Sequence, residues 1–269
     1  MDLKSFEMEN GAVDFEKKLE FVKNLPEIGP EETFCFDCNP GVPCFNRCCA
    51  ELTLPLTPYD VMRLCRNQAL SGTDFEAMYV DSHVFPDTGF PMPTLRMSRE
   101  PGEPCPFVSP AGCMVYEDRP SACRAYPLGR GTKVGLGGVA ERFFIVREDH
   151  CHGFDAGAVR TPAEWFEGQG LAPYNRSNDR YMRLMAMVRA TGKPLDDRLA
   201  GMSRLCLFHL DQFRLMIAKM RIFSHVEISE ERKTLVLEDS LEGDTACLDF
   251  ALDWMELVIF GKAEGLKRS

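Results

Sequence analysis

The sequence predicts an α+β chain that is mainly helical, in which a Cys-rich metal-binding module of short hairpins and two capped helices packs on a C-terminal helical bundle. Two observations support this class. Nine of the twelve cysteines lie in turn-rich sequence, and apolar residues recur at three- and four-residue spacing near the C-terminus. We expect an N-terminal helical lead at residues 1–33, the Cys-rich module at 34–157 and a helical region at 158–269.

Capping signals predict the helices of the first two parts. Thr57 is followed by proline and then by Asp60, the acid of a capping box, which predicts a helix over residues 58–68. Residues 73–76 repeat this pattern. In the lead, the apolar residues of 12–24 share one helical face and predict a further short helix.

Two hairpins are expected beyond these helices. Apolar residues flank a turn at 109–112. Two strand-like segments, 133–136 and 142–146, are joined through Gly137 and Gly138, which adopt positive φ without steric cost. Between residues 85 and 106 the many prolines allow at most one short strand.

The C-terminal region is predicted to be helical. Thr161 begins a helix with the same capping pattern, and the segment from Gly168 to Gly170 ends it. Apolar residues then recur at helical spacing from Leu199 to Met220, as in one long helix. A second amphipathic run covers residues 244–260.

Composition restricts the partners of the chain. The formal charge is -10 with no basic block, which argues against a nucleic-acid partner. The longest apolar stretch, 247–260, contains acidic residues and is too short to cross a bilayer, so no membrane partner is expected. Because the first residues lack a signal-peptide pattern, we expect a cytoplasmic location. The sequence does not indicate a protein partner.

Cysteines of the module form the candidate metal site. Cytosolic thiols are kept reduced, so disulfides do not explain them, and their turn-rich positions do not suit core residues. Thiolates bind zinc and iron–sulfur centres alike, which leaves both open, and a four-coordinate site needs four of them. The candidate ligands are Cys35, Cys38, Cys44, Cys48, Cys49, Cys105, Cys113, Cys123 and Cys151.

The remaining cysteines and two histidines are interpreted differently. Cys65, Cys206 and Cys247 lie on the apolar faces of predicted helices, which indicates packed, inert thiols. His150 and His152 flank the last candidate ligand. Since imidazole is a common zinc ligand, a mixed Cys/His site stays open.

Three arginines close to the cysteines in sequence could balance the charge of a metal centre. Four thiolates on a divalent ion leave a net charge of about -2, which nearby guanidinium groups would offset. Arg47, Arg119 and Arg124 are the candidates. Structural bracing of the turn before Cys123 is the alternative.

These motifs resemble the YkgJ, or CxxCxxCC, family of zinc- or iron-chelating proteins, over roughly residues 34–155. The resemblance rests on Cys44-Phe-Asn-Arg-Cys48-Cys49, on the Leu-Pro-Leu-Thr-Pro-Tyr-Asp segment that ends at Asp60, and on the later cysteines with the residues after them. The family run is C-x2-C-x2-CC, whereas this chain has a longer spacer before the doublet. It is therefore open which of Cys35, Cys38 and Cys44 are ligands.

The doublet of Cys48 and Cys49 leads to a geometric expectation. Adjacent cysteines rarely bind one ion, so these two should face different metals if two are present. At least four of the candidate sulfurs should lie within about 4 Å of one another, the edge length of a zinc tetrahedron.

Two other functions stay open. The cysteine pattern is similar to that of flagellin lysine methylases, which implies an iron–sulfur centre and methyl transfer from S-adenosylmethionine. The chain lacks a G-x-G-x-x-G motif, and no methyl-donor site is indicated. A redox sensor based on Cys48 and Cys49 is the third interpretation, although sensors usually expose one reactive and one resolving thiol.

Overall fold

The structure combines α-helices with small antiparallel sheets. The computed structural model describes residues 25–135, 138–155 and 157–269. The helix predicted over 12–24 and Gly137 of the second predicted turn lie outside the described residues. Within these ranges helices predominate over short strands, which confirms the predicted class, α+β and mainly helical.

The elements are numbered in chain order within the described ranges. The strands are β1 (Glu27–Ile28), β2 (Phe34–Cys35), β3 (Val80–Val84), β4 (Pro91–Leu95), β5 (Val108–Ser109), β6 (Gly112–Cys113), β7 (Leu128–Gly135), β8 (Gly138–Ile145), β9 (Val159–Arg160), β10 (Val226–Glu227) and β11 (Lys267–Arg268). The α-helices are α1 (Pro58–Gln68), α2 (Gly72–Tyr79), α3 (Ser121–Ala125), α4 (Pro162–Gly168), α5 (Ala172–Ala190), α6 (Asp197–Phe208), α7 (Leu210–Lys219), α8 (Glu230–Leu237) and α9 (Leu241–Phe260).

Antiparallel pairing joins every strand to a neighbour. β8 lies between β1 and β7, and the other strands pair in twos, as β2–β9, β3–β4, β5–β6 and β10–β11. Both predicted hairpins are confirmed. β5–β6 is short, with Val108 opposite Cys113, whereas β7–β8 is longer than predicted and runs from the pair Leu128–Ile145 to the pair Gly135–Gly138.

The capping box of α1 is formed as predicted. The amide of Asp60 donates to Thr57 Oγ1 at 3.2 Å, and the amide of Thr57 donates to Asp60 Oδ2 at 2.9 Å. Each bond satisfies a donor that the first helical turn leaves free. Thr161 and Glu164 form the same box at α4, so that prediction is also confirmed.

Two local predictions were wrong. α2 is capped by Ser71, whose hydroxyl accepts from the amide of Asp74 at 3.0 Å, so residues 73–76 lie inside the helix. The long apolar run is divided into α6 and α7 at His209, where φ is -126° and ψ is 67°. There the ring of His209 contacts the carboxylate of Glu76 at 2.6 Å, a tertiary contact that periodicity does not reveal.

One continuous core connects the cysteine module with the helical region. Phe36 and Phe107 of the module belong to the same cluster of buried apolar side chains as Phe213 and Phe250 of the helices. α1 packs against both α5 and α9. The predicted boundary near residue 157 stays a prediction.

No helix within the described ranges has both the length and the apolar composition that crossing a bilayer requires.

Candidate metal centre

Tight turns carry the Cys48–Cys49 doublet. The amide of Arg47 donates to the carbonyl of Cys44 at 2.9 Å, and the amide of Cys49 donates to the carbonyl of Asn46 at 3.0 Å. Asn46 has a φ of 69°, a left-handed conformation that asparagine tolerates better than most residues. Its side chain donates to the carbonyl of Ser109 at 2.9 Å, which fastens these turns to the β5–β6 hairpin.

Backbone bonds bring Cys105 and Cys113 to the same side as Cys49. The amide of Cys105 donates to the carbonyl of Cys49 at 2.8 Å. The amide of Val108 donates to the carbonyl of Cys105 at 3.1 Å, and Val108 is the strand partner of Cys113. Three cysteines from separate motifs are thus joined through the main chain.

Asp60 holds the helix that carries Cys123. Its carboxylate is fully buried and accepts from the amide of Ser121 at 2.8 Å and from the hydroxyl of Ser121 at 3.1 Å. Burial raises the pKa of Asp60, and the hydrogen bonds from Thr57 and Ser121 oppose this rise. The acid that caps α1 therefore also fixes the start of α3, two residues before Cys123.

Cys123 joins Cys49, Cys105 and Cys113, because its thiol lies near the thiols of Cys105 and Cys113. Burial raises the pKa of Cys123 to about 12, and the nearby thiols of Cys105 and Cys113 add to the rise. The hydrogen bond with Cys48 and burial raise the pKa of Cys49, and the thiols of Cys123 and Cys105 add to this rise. We name Cys49, Cys105, Cys113 and Cys123 the hairpin group.

A second set of cysteines lines a small cavity on the other side of the doublet. Cys38, Cys44, Cys48 and Cys151 share this cavity with Phe36, Tyr126, His150 and Gly153. Cys44 is 7% exposed, and its sulfur accepts from the amide of His152 at 3.1 Å. We name Cys38, Cys44, Cys48 and Cys151 the cavity group.

Buried polar atoms without hydrogen bonds lie at or beside the cavity. Nε2 of His150 and Oε2 of Glu148 are buried and form no hydrogen bond within the described structure. Burial and the neighbouring Cys151 thiol raise the pKa of Tyr126, whose hydroxyl is also buried. His150 Nε2 and Glu148 Oε2 lie 3.2 Å apart but lack hydrogen-bond geometry. Because an unsatisfied buried polar group costs about 1–3 kcal/mol, their grouping here suits a site that takes up a polar guest.

The thiols of the doublet are electrostatically unequal. A hydrogen bond between them lowers the pKa of Cys48 to about 7 and raises the pKa of Cys49. Burial, together with the thiols of Cys48, Cys44 and Cys151, raises the pKa of Cys38 to about 11. Grouped thiols cannot all ionise next to one another without a cation, so a metal ion would supply the missing charge.

The spacing of the sulfurs differs from the expected tetrahedron. Within the described ranges, which include all nine candidate cysteines, no three side chains of His, Cys, Asp or Glu are arranged to hold a metal ion. The prediction that four sulfurs lie within about 4 Å of one another is therefore not met. The donor chemistry suits zinc or iron, and binding would require the thiols of a group to draw together.

The other cysteines lie outside both groups. Cys35 is on β2, and its sulfur donates to the carbonyl of Gly157 at 3.0 Å. Cys65 faces a different cavity, between α1 and α7. Cys206 and Cys247 are completely buried within α6 and α9. That these last three thiols do not bind metal remains a prediction.

Two contributors to the site were not predicted from the sequence. Asp60 was recognised as a helix cap and not as a support for α3, and Glu148 was not singled out. Both roles depend on contacts between distant segments. The only signal was the position of Asp60 at the end of the Leu-Pro-Leu-Thr-Pro-Tyr-Asp segment.

Comparison with known proteins agrees with the cysteine pattern. Neither a curated protein nor a solved structure matches the chain. One family model, CxxCxxCC, matches residues 37–152 and is described as a "Putative zinc- or iron-chelating domain". The matched segment includes both cysteine groups and begins after Cys35. Residues 37–152, less than half of the chain, are therefore similar to the CxxCxxCC family.

Proposed function

We propose that the chain chelates zinc or iron, the latter as ions or as an iron–sulfur cluster, through the cysteine thiolates around Cys48 and Cys49. One observation carries the proposal. Separate segments of the chain, held by main-chain hydrogen bonds and by Asp60, bring six further cysteines close to this doublet. Reduced thiols concentrated in this way need a cation to ionise together, and soft sulfur donors favour both metals.

The residues proposed to hold the metal are the cavity group and the hairpin group. When bound, the metal would neutralise the thiolates and connect separate segments of the chain. Cys35 is a weaker candidate, because its sulfur is engaged with the carbonyl of Gly157. Since the cytoplasm keeps thiols reduced, we also propose a cytoplasmic location, with residues 34–157 as the metal-binding module.

The decisive experiment is to purify the full chain without oxygen, and to measure metal content, free thiols and visible absorption. We expect stoichiometric zinc with a colourless protein, or iron with the visible bands of an iron–sulfur centre. Replacement of Cys48 should reduce the metal content. The matched control is Cys206→Ala, a buried thiol outside both groups, which should retain it. Metal-free protein in which the thiols of both groups are reactive would contradict the proposal.

A further inference from the structure

A further cavity, outside both cysteine groups, lies between the start of α2, the β3–β4 hairpin and α6. Its volume is about 340 Å³, at the lower end of the range of about 300–1,000 Å³ that small-molecule sites occupy. Its walls are mainly apolar, and Phe75, Val80 and Phe208 on them are at most 6% exposed. We name it the α6 cavity. Its size and lining suit a small, largely apolar molecule.

One wall of the α6 cavity carries polar groups that converge on Glu76. The carboxylate of Glu76 accepts from the hydroxyl of Ser82 and from Nη2 of Arg204. It also accepts from Nε of Arg204 at 3.0 Å and contacts the ring of His209 at 2.6 Å. A carboxylate has about four acceptor sites, so Glu76 keeps none for a cationic ligand. Its role here is to hold Arg204 and His209 at the cavity.

Arg204 keeps hydrogen-bond donors that Glu76 does not use. A guanidinium carries five N–H donors, and the ion pair with Glu76 engages only Nε and Nη2. Within the described ranges, Nη1 of Arg204 has no hydrogen-bond partner. The cavity therefore offers a ligand donors and not acceptors. Because the planar guanidinium pairs best with a carboxylate, an acid is the favoured polar group of the ligand.

Two glycines shape the α6 cavity in different ways. A Cβ at Gly72 would lie 2.7 Å from the carbonyl oxygen of Phe208, so only glycine lets α2 approach the end of α6 this closely. A Cβ at Gly201, inside α6, would meet no atom of another described segment within 4 Å. Packing does not require glycine at this position, although glycine stabilises a helix less than alanine does. Gly201 is exposed and leaves the mouth of the cavity open.

We propose that the α6 cavity binds a small monocarboxylic acid with an apolar chain, whose carboxylate pairs with Arg204. The apolar chain packs against Phe75, Val80 and Phe208. Burial of the chain supplies most of the affinity, and the charge-assisted hydrogen bonds from Arg204 select an acid over an uncharged molecule. No candidate metal ligand lines this cavity, so the proposal is independent of metal chelation.

Calorimetric titration of the full chain with octanoate tests the ligand class. We expect saturable binding of one octanoate per chain, with affinity falling about fourfold for each methylene removed from the acid. Octan-1-ol has the same chain without the carboxylate, and it should bind about 10- to 100-fold more weakly. Equal affinity for the acid and the alcohol, no dependence on chain length, or an absence of saturable binding would each overturn the proposal.

Replacement of Arg204 tests the position of the carboxylate. Arg204→Gln should weaken octanoate binding by about 10- to 100-fold and leave the affinity for octan-1-ol unchanged. The matched control is Arg189→Gln, since Arg189 pairs with Asp87 outside the cavity and is 53% exposed, close to the 51% of Arg204. This control should bind octanoate as the unchanged protein does. Equal binding by both variants would refute the role of Arg204.

Substitution of Gly201 tests the cavity without disturbing the polar groups. Gly201→Phe should abolish binding of both octanoate and octan-1-ol, because the ring would occupy the open mouth. Gly201→Ala is the control and should bind both ligands as the unchanged protein does. Circular dichroism verifies that each variant is folded. Octanoate binding that persists in folded Gly201→Phe would show that the acid binds elsewhere on the chain and would overturn the proposal.

Discussion

The amide of Cys105 donates a hydrogen bond to the carbonyl of Cys49 at 2.8 Å, across the part of the chain that contains α1, α2, β3 and β4. The residue before Cys105 is also held by the main chain, since the amide of Ser98 donates to the carbonyl of Pro104 at 2.8 Å. The main chain therefore brings two candidate ligands together before any metal is considered. The side chains would have to move to bring the sulfurs to metal-bonding distance.

We expect metal removal to loosen the cysteine module more than the helical region. No residue of the turns Cys44–Cys49 belongs to the main cluster of buried apolar side chains, whereas α9 is packed in that core. Metal that binds only the folded state stabilises it by mass action. After treatment with a chelator, hydrogen exchange should therefore accelerate in these turns and remain slow in α9. Equal exchange with and without metal would contradict a structural role of the metal.

Cys65, Cys206 and Cys247 should not affect metal content when each is replaced with Ala. Cys206 and Cys247 are completely buried, so their truncation should lower the free energy of unfolding by about 1–2 kcal/mol through lost packing. Elemental analysis and urea unfolding of each variant measure the two effects separately. A large loss of metal in any of the three would show that the thiols were assigned to the wrong class.

Asp60→Asn should destabilise the protein and weaken metal retention at the hairpin group. The buried carboxylate accepts from the amides and hydroxyls of Thr57 and Ser121, and an amide would turn an NH₂ group toward at least one donor. We expect the free energy of unfolding to fall by about 2–3 kcal/mol. Zinc affinity should fall with it, because Ser121 positions the helix of Cys123.

The matched control for Asp60 is Glu164→Gln in α4. Thr161 and Glu164 form the same type of capping box, but Glu164 is exposed and a glutamine carbonyl can still accept from the backbone. Little change in unfolding or metal content is expected. If Asp60→Asn behaved like this control, the support of α3 by Asp60 would be refuted.

Glu76 should make stability depend on pH in the acid range. Burial opposes its ionisation, but Ser82, Arg204 and His209 outweigh this effect and lower its pKa from 4.5. Because the unfolded chain takes up this proton first as pH falls, the stabilisation is present above about pH 4.5 and is lost as pH falls through the folded pKa. Urea unfolding at neutral and acid pH measures this loss.

Glu76→Gln should remove this part of the pH dependence and lower stability at neutral pH. The ring of His209 would lose its contact with the carboxylate, which lies 2.6 Å away. Glu100→Gln, at an exposed position, is the control and should follow the unchanged protein. An identical acid dependence in the unchanged protein and in Glu76→Gln would show that other groups cause it.

Local sequence patterns determined the secondary structure wherever the physical cause was local. The capping boxes of α1 and α4 and the two hairpins follow from residues within a few positions of one another. The apolar spacing predicted one helix through His209. In the structure the helix ends there, and the ring of His209 contacts the carboxylate of Glu76. Ser71 was missed as the cap of α2 because a second capping motif follows immediately.

The sequence by itself determined that reduced cysteines are concentrated in one segment and that their chemistry suits zinc or iron. Only the tertiary structure decided how they are distributed, with Cys48 facing the cavity and Cys49 bonded to the loop of Cys105. It also decided that Arg119 is buried, whereas Arg47 is exposed. The physical reason is that ligand chemistry belongs to each residue, whereas distance and burial depend on contacts between segments far apart in the chain.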